Sequence, residues 1–316
     1  MSDKKLIAVI GATGAQGGGL VSSILNDKSG VFSVRAITRN ASSDKAKTLA
    51  DSGAEVVSAD MDNADSLKEA FRNAYGVYAV TNFWEHFSPE KEVSQIKNIA
   101  EAAKSAGIKH TIFSTLEDTR KWVPLEDGRM PTLMGKYKVP HFDGKGEAEH
   151  FFTDMGIPVT FLLTSFYWDN FIYFGMGPKK NDEGKYALMI PMGNKKLPGI
   201  AAEDIGKCAY GIFKLGNEYI GKKVGIAGGH LTGNEMAETF SKVYGKEFVY
   251  NAIPFDVYRS LGFPGADDIG NMFQFKHDFE DYFCGARRTE ESKSLNPELQ
   301  SFENWLKKNK DKISLE

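Results

Sequence analysis

Residues 5–19 read KLIAVIGATGAQGGG, a short apolar run followed at once by five glycines in nine positions. The stretch after them, with Leu20, Val21, Ile24 and Leu25 on one face, has the period of an amphipathic helix. A strand, a tight glycine turn and a helix start in that order commit a chain to an open α/β sheet. They also aim free backbone amides and the positive helix end at an anion such as a pyrophosphate. The candidate contacts are Gly11, Thr13, Gly14, Ala15, Gln16 and Gly17. Gly18 and Gly19 carry the run into the helix, where each glycine costs about 1 kcal/mol against alanine. That cost implies a close backbone approach.

The rest of the first half repeats the rhythm. Apolar runs at Lys5–Ile10, Val31–Thr38, Glu55–Ser58, Gly76–Thr81, His110–Ser114 and Pro158–Leu163 alternate with helical patterns such as Pro89–Ala106. This is the signature of a doubly wound, parallel Rossmann sheet. After Phe166 the texture turns to aromatics, glycine and polar residues, with a hairpin-like stretch at Lys185–Ile190. A helix at Ala201–Phe213 and a strand at Lys223–Ala227 then return. Thr232-Gly233-Asn234-Glu235 is a capping box, and Pro297–Lys308 sets Leu299, Phe302, Trp305 and Leu306 along a docking helix. The expected organisation is a Rossmann domain over 1–165, completed by 201–229, and a smaller α+β lobe from 166–200 and 230–316.

Composition removes other classes. Among 316 residues, 39 Lys and Arg stand against 42 Asp and Glu, a balance that does not suggest nucleic acid or an anionic membrane as the main partner. No window is apolar enough to span a bilayer. The two cysteines, Cys208 and Cys284, form no disulfide framework. The opening MSDKKLIAVI has no secretory leader pattern, so a cytoplasmic location is expected, with the nucleus as a second site. The six histidines show no paired metal spacing, no GxSxG elbow is present, and Cys208 reads as core.

The end of the second strand selects between NAD and NADP. An acid there binds a free ribose 2′-hydroxyl, and an arginine accommodates a 2′-phosphate. Thr38-Arg39-Asn40 supplies the arginine and positions 36–42 hold no acid, which favours NADP(H). Asp60 and Met61 end the third strand and are expected at the adenine. Thr81, Asn82 and Phe83 end the fourth and are expected at the nicotinamide-side ribose. Short-chain reductases pair a tyrosine with a lysine four residues on, and here the pair is His141 and Lys145. The lysine can hold ribose hydroxyls. The histidine is either a weak substitute acid or a residue without chemistry. Tyr137 lies beyond Pro140, which breaks any fixed geometry with Lys145. Ser114 and Thr115 either bind a carbonyl or cap the following turn. The long polar connection 117–140 is expected to be a mobile flap.

GATGAQGG, TRN, VTNFWE, HFDGKGEAEHF and FPGADDIGNMF together resemble the NmrA-like family of atypical short-chain dehydrogenases, and are most similar to its NADPH-sensing animal members. The resemblance spans nearly the whole chain. It implies NADP(H) as cofactor, with Phe166, Tyr167 and Asn170 joining the cofactor site, and a role as redox sensor with a regulatory protein partner. Relatives place further basic residues after the TRN segment, whereas Ser42, Ser43 and Asp44 follow here, so hydroxyls of Ser42 and Ser43 would replace charge at the 2′-phosphate. The competing expectation is an NADPH-dependent reductase of a small aromatic, enone or quinone substrate. Phe83, Trp84, Phe166, Tyr167 and Trp168 would line its flat pocket or would be plain core. Oligomeric state stays open, a homodimer included.

Overall fold

The first strand, β1 (Lys5–Ile10), is apolar on both faces, with Ile7, Ala8 and Val9 fully buried. Only a central strand of a sheet covered on both sides needs that composition. The computed structural model describes residues 4–181 and 183–315. Along the first half, β1 is followed by α1 (Ala15–Asn26), β2 (Phe32–Thr38), α2 (Asp44–Asp51), β3 (Glu55–Ser58), α3 (Ala64–Ala70) and β4 (Gly76–Ala79). Then come α4 (Pro89–Ser105), β5 (His110–Thr115), α5 (Pro140–Ala148), α6 (His150–Asp154) and β6 (Val159–Leu163). The second half runs through β7 (Phe166–Tyr167), α7 (Asn170–Tyr173), β8 (Lys179–Lys180), β9 (Tyr186–Met189), β10 (Leu197–Ile200) and α8 (Ala202–Leu215). It continues with β11 (Lys223–Gly225), β12 (Gly229–Leu231), α9 (Gly233–Tyr244), β13 (Phe248–Asn251), α10 (Phe255–Arg259) and α11 (Ala266–Asp278). The chain closes with α12 (Glu280–Gly285), α13 (Thr289–Leu295) and α14 (Phe302–Asn309).

The main sheet is parallel throughout, in the order β11-β6-β5-β4-β1-β2-β3. Strand order reverses at β1, which lies between β2 and β4. This opens a crevice at the carboxyl ends of the strands, where such sheets bind their ligands. On one face, Leu20, Val21 and Ile24 of α1 pack with Ile205, Cys208 and Ile212 of α8. On the other, Ile96, Ile99 and Ala103 of α4 join Leu67 of α3 and Phe152 of α6.

Helices α1 and α8 cross through glycines. A Cβ on Gly19 would sit 2.2 Å from the Glu203 carbonyl oxygen, and one on Gly206 would sit 2.2 Å from the Leu20 nitrogen. The close approach expected at Gly19 is therefore to another helix, not to a ligand.

Two three-stranded sheets, β12-β10-β7 and β13-β9-β8, form the frame of the smaller lobe. The stretch expected as a hairpin contains β9, which pairs antiparallel with β8 and parallel with β13. The capping box is present as expected: the Thr232 hydroxyl accepts from the Glu235 amide while the Glu235 carboxylate accepts from the Thr232 amide. The last helix starts at Phe302 rather than at Pro297, because Ser301 caps it by accepting from the Asn304 amide. Trp168 is not a pocket residue. Its ring is buried between Phe302 and Trp305, with centroids 5.3 and 6.1 Å away, in the lobe core.

The connection expected as a mobile flap is tied down at both ends. The buried Asp143 carboxylate accepts from the Thr119 amide and hydroxyl on one oxygen and from the Lys138 and Val139 amides on the other. Lys138 in turn donates to the Asp127 and Met130 carbonyls, both at 2.8 Å.

Candidate functional site

A cavity of about 560 Å³ runs along the carboxyl ends of the sheet strands, within the size range of small-molecule and cofactor sites. One end is walled by Thr38, Arg39 and Met61, the middle by the glycine loop, and the far end by Phe166, Met272 and Lys276 of the lobe. Of the residues expected from sequence, Gly11, Thr13, Gly14, Ala15, Gln16, Gly17, Arg39, Met61, Thr81, Asn82, Phe83, His141, Lys145, Phe166, Tyr167 and Asn170 line it. Ser43 and Asp60 do not. The Ser43 hydroxyl is spent on capping α2, where it accepts from the Ala46 amide and donates to the Asn40 carbonyl. The Asp60 carboxylate turns to the Asp62 amide at 2.9 Å.

The glycine loop has the geometry an anion site needs. Gly11 sits at φ 67°, a backbone conformation that disfavours a side chain. A Cβ on Gly17 would meet the Gly11 carbonyl oxygen at 2.4 Å, so the first turn of α1 closes onto the turn only with glycine there. No side chain caps α1 and no acid lies in its first turn. Its amides and the positive end of its dipole are thus free for a pyrophosphate. Gln16 fixes the loop from within: its Oε1 accepts from the Tyr78 hydroxyl at 2.6 Å and the Ser114 hydroxyl at 2.8 Å, while its Nε2 donates to the Tyr167 hydroxyl. One side chain so joins the loop to β4, β5 and β7. Burial pushes the Tyr167 hydroxyl up to about 12, so it stays protonated.

Two cations of this cavity, Arg39 and Lys145, have partners that local sequence does not show. Arg39 is exposed and ion-paired with Glu85, at 2.8 and 2.9 Å for its two guanidinium nitrogens. Glu85 also accepts from the Asn82 amide group at 3.1 Å. Lys145 is buried and donates to Glu92 of α4, to the Thr81 hydroxyl at 2.6 Å and to the Thr81 carbonyl at 3.2 Å. Burial alone would raise the Glu92 carboxyl, but Lys145, His86 and Thr81 outweigh it and hold the group down at about 2.

His141 lies one turn before Lys145, and its Nδ1 pairs with Asp268 Oδ1 of α11 at 2.7 Å. Asp268 also accepts from the His141 amide at 3.1 Å. With the aspartate ionised, Nδ1 carries the proton, and Nε2 has no protein partner among the described residues. Tyr137, the nearby phenol, is buried away from the cavity with its hydroxyl toward Glu90. It does not stand in for the tyrosine that the Lys145 spacing lacks.

Glu85, Glu92, Asp268 and Lys276 were not among the candidates. Glu92 leaves a faint trace, an acid in register with Ile96, Ile99 and Ala103 on the buried stripe of α4. Lys276 leaves the same trace on α11, following Ile269 and Met272 at i+7 and i+4. Asp268 lies inside the FPGADDIGNMF segment that carried the resemblance, though its partner is 127 residues away.

Residues 3–306 match the family model described as the NmrA-like family. The chain is 31% identical over 294 residues to the NmrA-like family domain-containing oxidoreductase FrzB of Cladobotryum sp, covering 85% of this chain and 83% of that one. It is 28% identical to an NmrA-like family domain-containing protein of Dictyostelium discoideum, covering 96% and 97% of the two. Among solved structures, the negative transcriptional regulator NmrA in complex with NADP superposes with a TM-score of 0.77 at 22% identity, over 96% of this chain and 94% of that one. Triphenylmethane reductase of Citrobacter sp. complexed with NADP(H) gives 0.75 at 22% identity, over 96% and 99%. With a family model matched over almost its full length and an oxidoreductase relative above 30% identity, the chain belongs to the NmrA-like family.

Proposed function

We propose that the chain binds NADP(H) and acts as a redox sensor, with the dinucleotide as the signal read by a regulatory protein partner. The observation that carries the cofactor-triggered part of this reading is the pairing of Arg39 with Glu85 and of Lys145 with Glu92. The two cations expected to hold the cofactor lie at different parts of the cavity, yet both are neutralised by carboxylates from the single stretch 85–92. A 2′-phosphate brings up to two negative charges to Arg39 and competes with Glu85 for it. Ribose hydroxyls compete with Thr81 and Glu92 for the Lys145 ammonium. Occupancy is thereby converted into a partner exchange that releases residues 82–88, which include the half-buried Trp84 and the exposed Phe87.

Hydrogen exchange of peptides covering 82–92 tests this. NADPH should change protection there clearly more than NADH at equal occupancy, since both bring a ribose to Lys145 and only NADPH brings a 2′-phosphate to Arg39. Equal behaviour of the two cofactors defeats the partner exchange.

A second reading, an NADPH-dependent reductase of a small aromatic or quinone-like substrate, draws support from the His141–Asp268 pair. When bound, the reduced nicotinamide supplies a hydride. Taken in its doubly protonated form, with Nδ1–H on Asp268, His141 would give its Nε2 proton to a developing oxyanion and be left as the neutral Nδ1–H ring. Rapid NADPH oxidation with quinones, enones or aryl aldehydes, lost by roughly a hundredfold in His141→Ala, selects this reading. Very slow turnover unchanged by the substitution selects the sensor.

A further inference from the structure

The far end of the cavity holds a cation of a different kind. Lys276 on α11 is 3% exposed, and its Nζ has one polar neighbour among the described residues, the Met272 sulfur at 3.3 Å. Around it stand the rings of Phe142, Phe166, Phe273 and Phe283, with centroids 5.3–5.9 Å from the nitrogen. Aromatic faces attract a cation but leave its N–H donors without an acceptor. Beyond Phe283, Arg287 and Glu117 form a closed buried pair at 2.7 Å, so Glu117 is committed elsewhere. A second polar group lines the same cavity. The Ser165 hydroxyl, one residue before Phe166, is buried and has no hydrogen-bond partner among the described residues. Buried polar groups are normally satisfied, and an ammonium whose one polar neighbour is a sulfur together with an unpartnered hydroxyl, both lining one cavity, mark a place built for a ligand.

We propose that this end of the cavity binds a small aromatic or conjugated molecule carrying an anionic oxygen, a carboxylate or a phenolate, with Lys276 as its counter-cation and the Ser165 hydroxyl as a second donor. The apolar body fits the walls given by Phe142, Phe166 and Met272. The anionic oxygen supplies the acceptor that Lys276 lacks. This goes beyond the sensor and the reductase readings, because it rests on Lys276 and Ser165, which neither reading uses.

Electrostatics agree. Burial, with help from the Arg287 charge and against the pull of Glu117, brings the Lys276 ammonium down to about 7. Of the other ionisable groups, His141 lines the cavity paired with Asp268, and Lys145, Tyr167 and Asp169 line it too, Lys145 being paired with Glu92. A carboxylate that binds at pH 8 must therefore draw a proton onto Lys276 as it enters.

The test is calorimetric titration of the full chain, alone and saturated with NADP+, with benzoate and cinnamate against benzamide and cinnamamide. The acids should bind at least tenfold more tightly than the amides. Titration at pH 8 in buffers of different ionisation enthalpy should show uptake of roughly one proton per acid bound. Lys276→Met, close in volume, should lose the preference for the acid while keeping the amide and NADPH. Ser165→Ala should weaken the acid by a smaller factor. Nitrophenolate run beside its methyl ether separates phenolate from carboxylate as the preferred anion. Acids and amides bound equally by the wild-type chain, no binding of either acid or of nitrophenolate at millimolar concentration, or no proton uptake would overturn the proposal without recourse to any variant.

Discussion

The two ends of one cavity treat positive charge in opposite ways. Around the glycine loop, Arg39 and Lys145 each have a carboxylate of the 85–92 stretch as partner. At the lobe end, the one polar neighbour of Lys276 among the described residues is a sulfur, with four rings around it. A paired cation is stable without a ligand and must trade partners to take one. An unpaired buried cation is costly until a ligand arrives. The difference is between a site that exchanges contacts and a site that completes them.

Breaking the buried pair should have the largest effect. Glu92→Ala leaves the Lys145 ammonium buried without its counter-ion and should cost about 3–5 kcal/mol of stability by urea unfolding. A second change, Lys145→Met, added to it should recover much of that loss; if Glu92→Ala alone is near neutral, the pair is not what holds this region. The wild-type pair also sets an acid limit. The Glu92 carboxyl is held at about 2 against 4.5 in the unfolded chain, so its contribution is full above pH 4.5 and is lost as pH falls toward 2.

The contrasting change at the lobe end should stabilise. Lys276→Met removes an uncompensated buried charge and should gain on the order of 2–3 kcal/mol near pH 6. Because native Lys276 titrates at about 7 and the unfolded lysine at 10.5, the unfolded chain binds the extra proton between those values. Wild-type stability should accordingly rise with pH across pH 7–10.5, and the variant should lack that rise. A flat wild-type profile would mean that Lys276 has a partner in solution.

Smaller effects belong to the exposed pair. Arg39→Ala should weaken NADPH by roughly tenfold, as expected of a lost charge-assisted bond, and NADH hardly at all. Equal losses would separate Arg39 from the 2′-phosphate. Glu85→Gln should tighten NADPH by no more than a few-fold, since an exposed ion pair is worth about 0–1 kcal/mol. A weaker NADPH complex would show that Glu85 orients Arg39 instead of competing for it.

What the sequence disclosed follows the range of the interactions concerned. Strand β1 ends where its apolar run does, because a buried parallel strand writes its burial into consecutive residues, Ile7 to Ile10 here. The capping box at Thr232 was legible for the same reason, its two partners being three residues apart. His141 and Lys145 stood out by their spacing, and the structure sets both on the cavity. Their partners did not stand out. Glu92 is 53 residues from Lys145 and Asp268 is 127 from His141, distances at which no periodicity operates. Ser43 misled because a hydroxyl near a strand end suits a phosphate and a helix cap equally, and the cap is local. Trp168 was left open between pocket wall and core, because an aromatic run has the same composition in both, and it lies in the core.

The clasp made by Asp143 has an engineering consequence. Both ends of the excursion from Thr119 to Lys138 are gathered on a single carboxylate, and Val123 and Met130 anchor its middle in the lobe core, so only its short tip is left exposed. The entropy of closing such a loop grows only slowly with its length. Its exposed tip around Glu126–Gly128 is therefore the place where this scaffold should accept an inserted reporter peptide or new chain termini, provided Lys138 keeps its two carbonyl contacts.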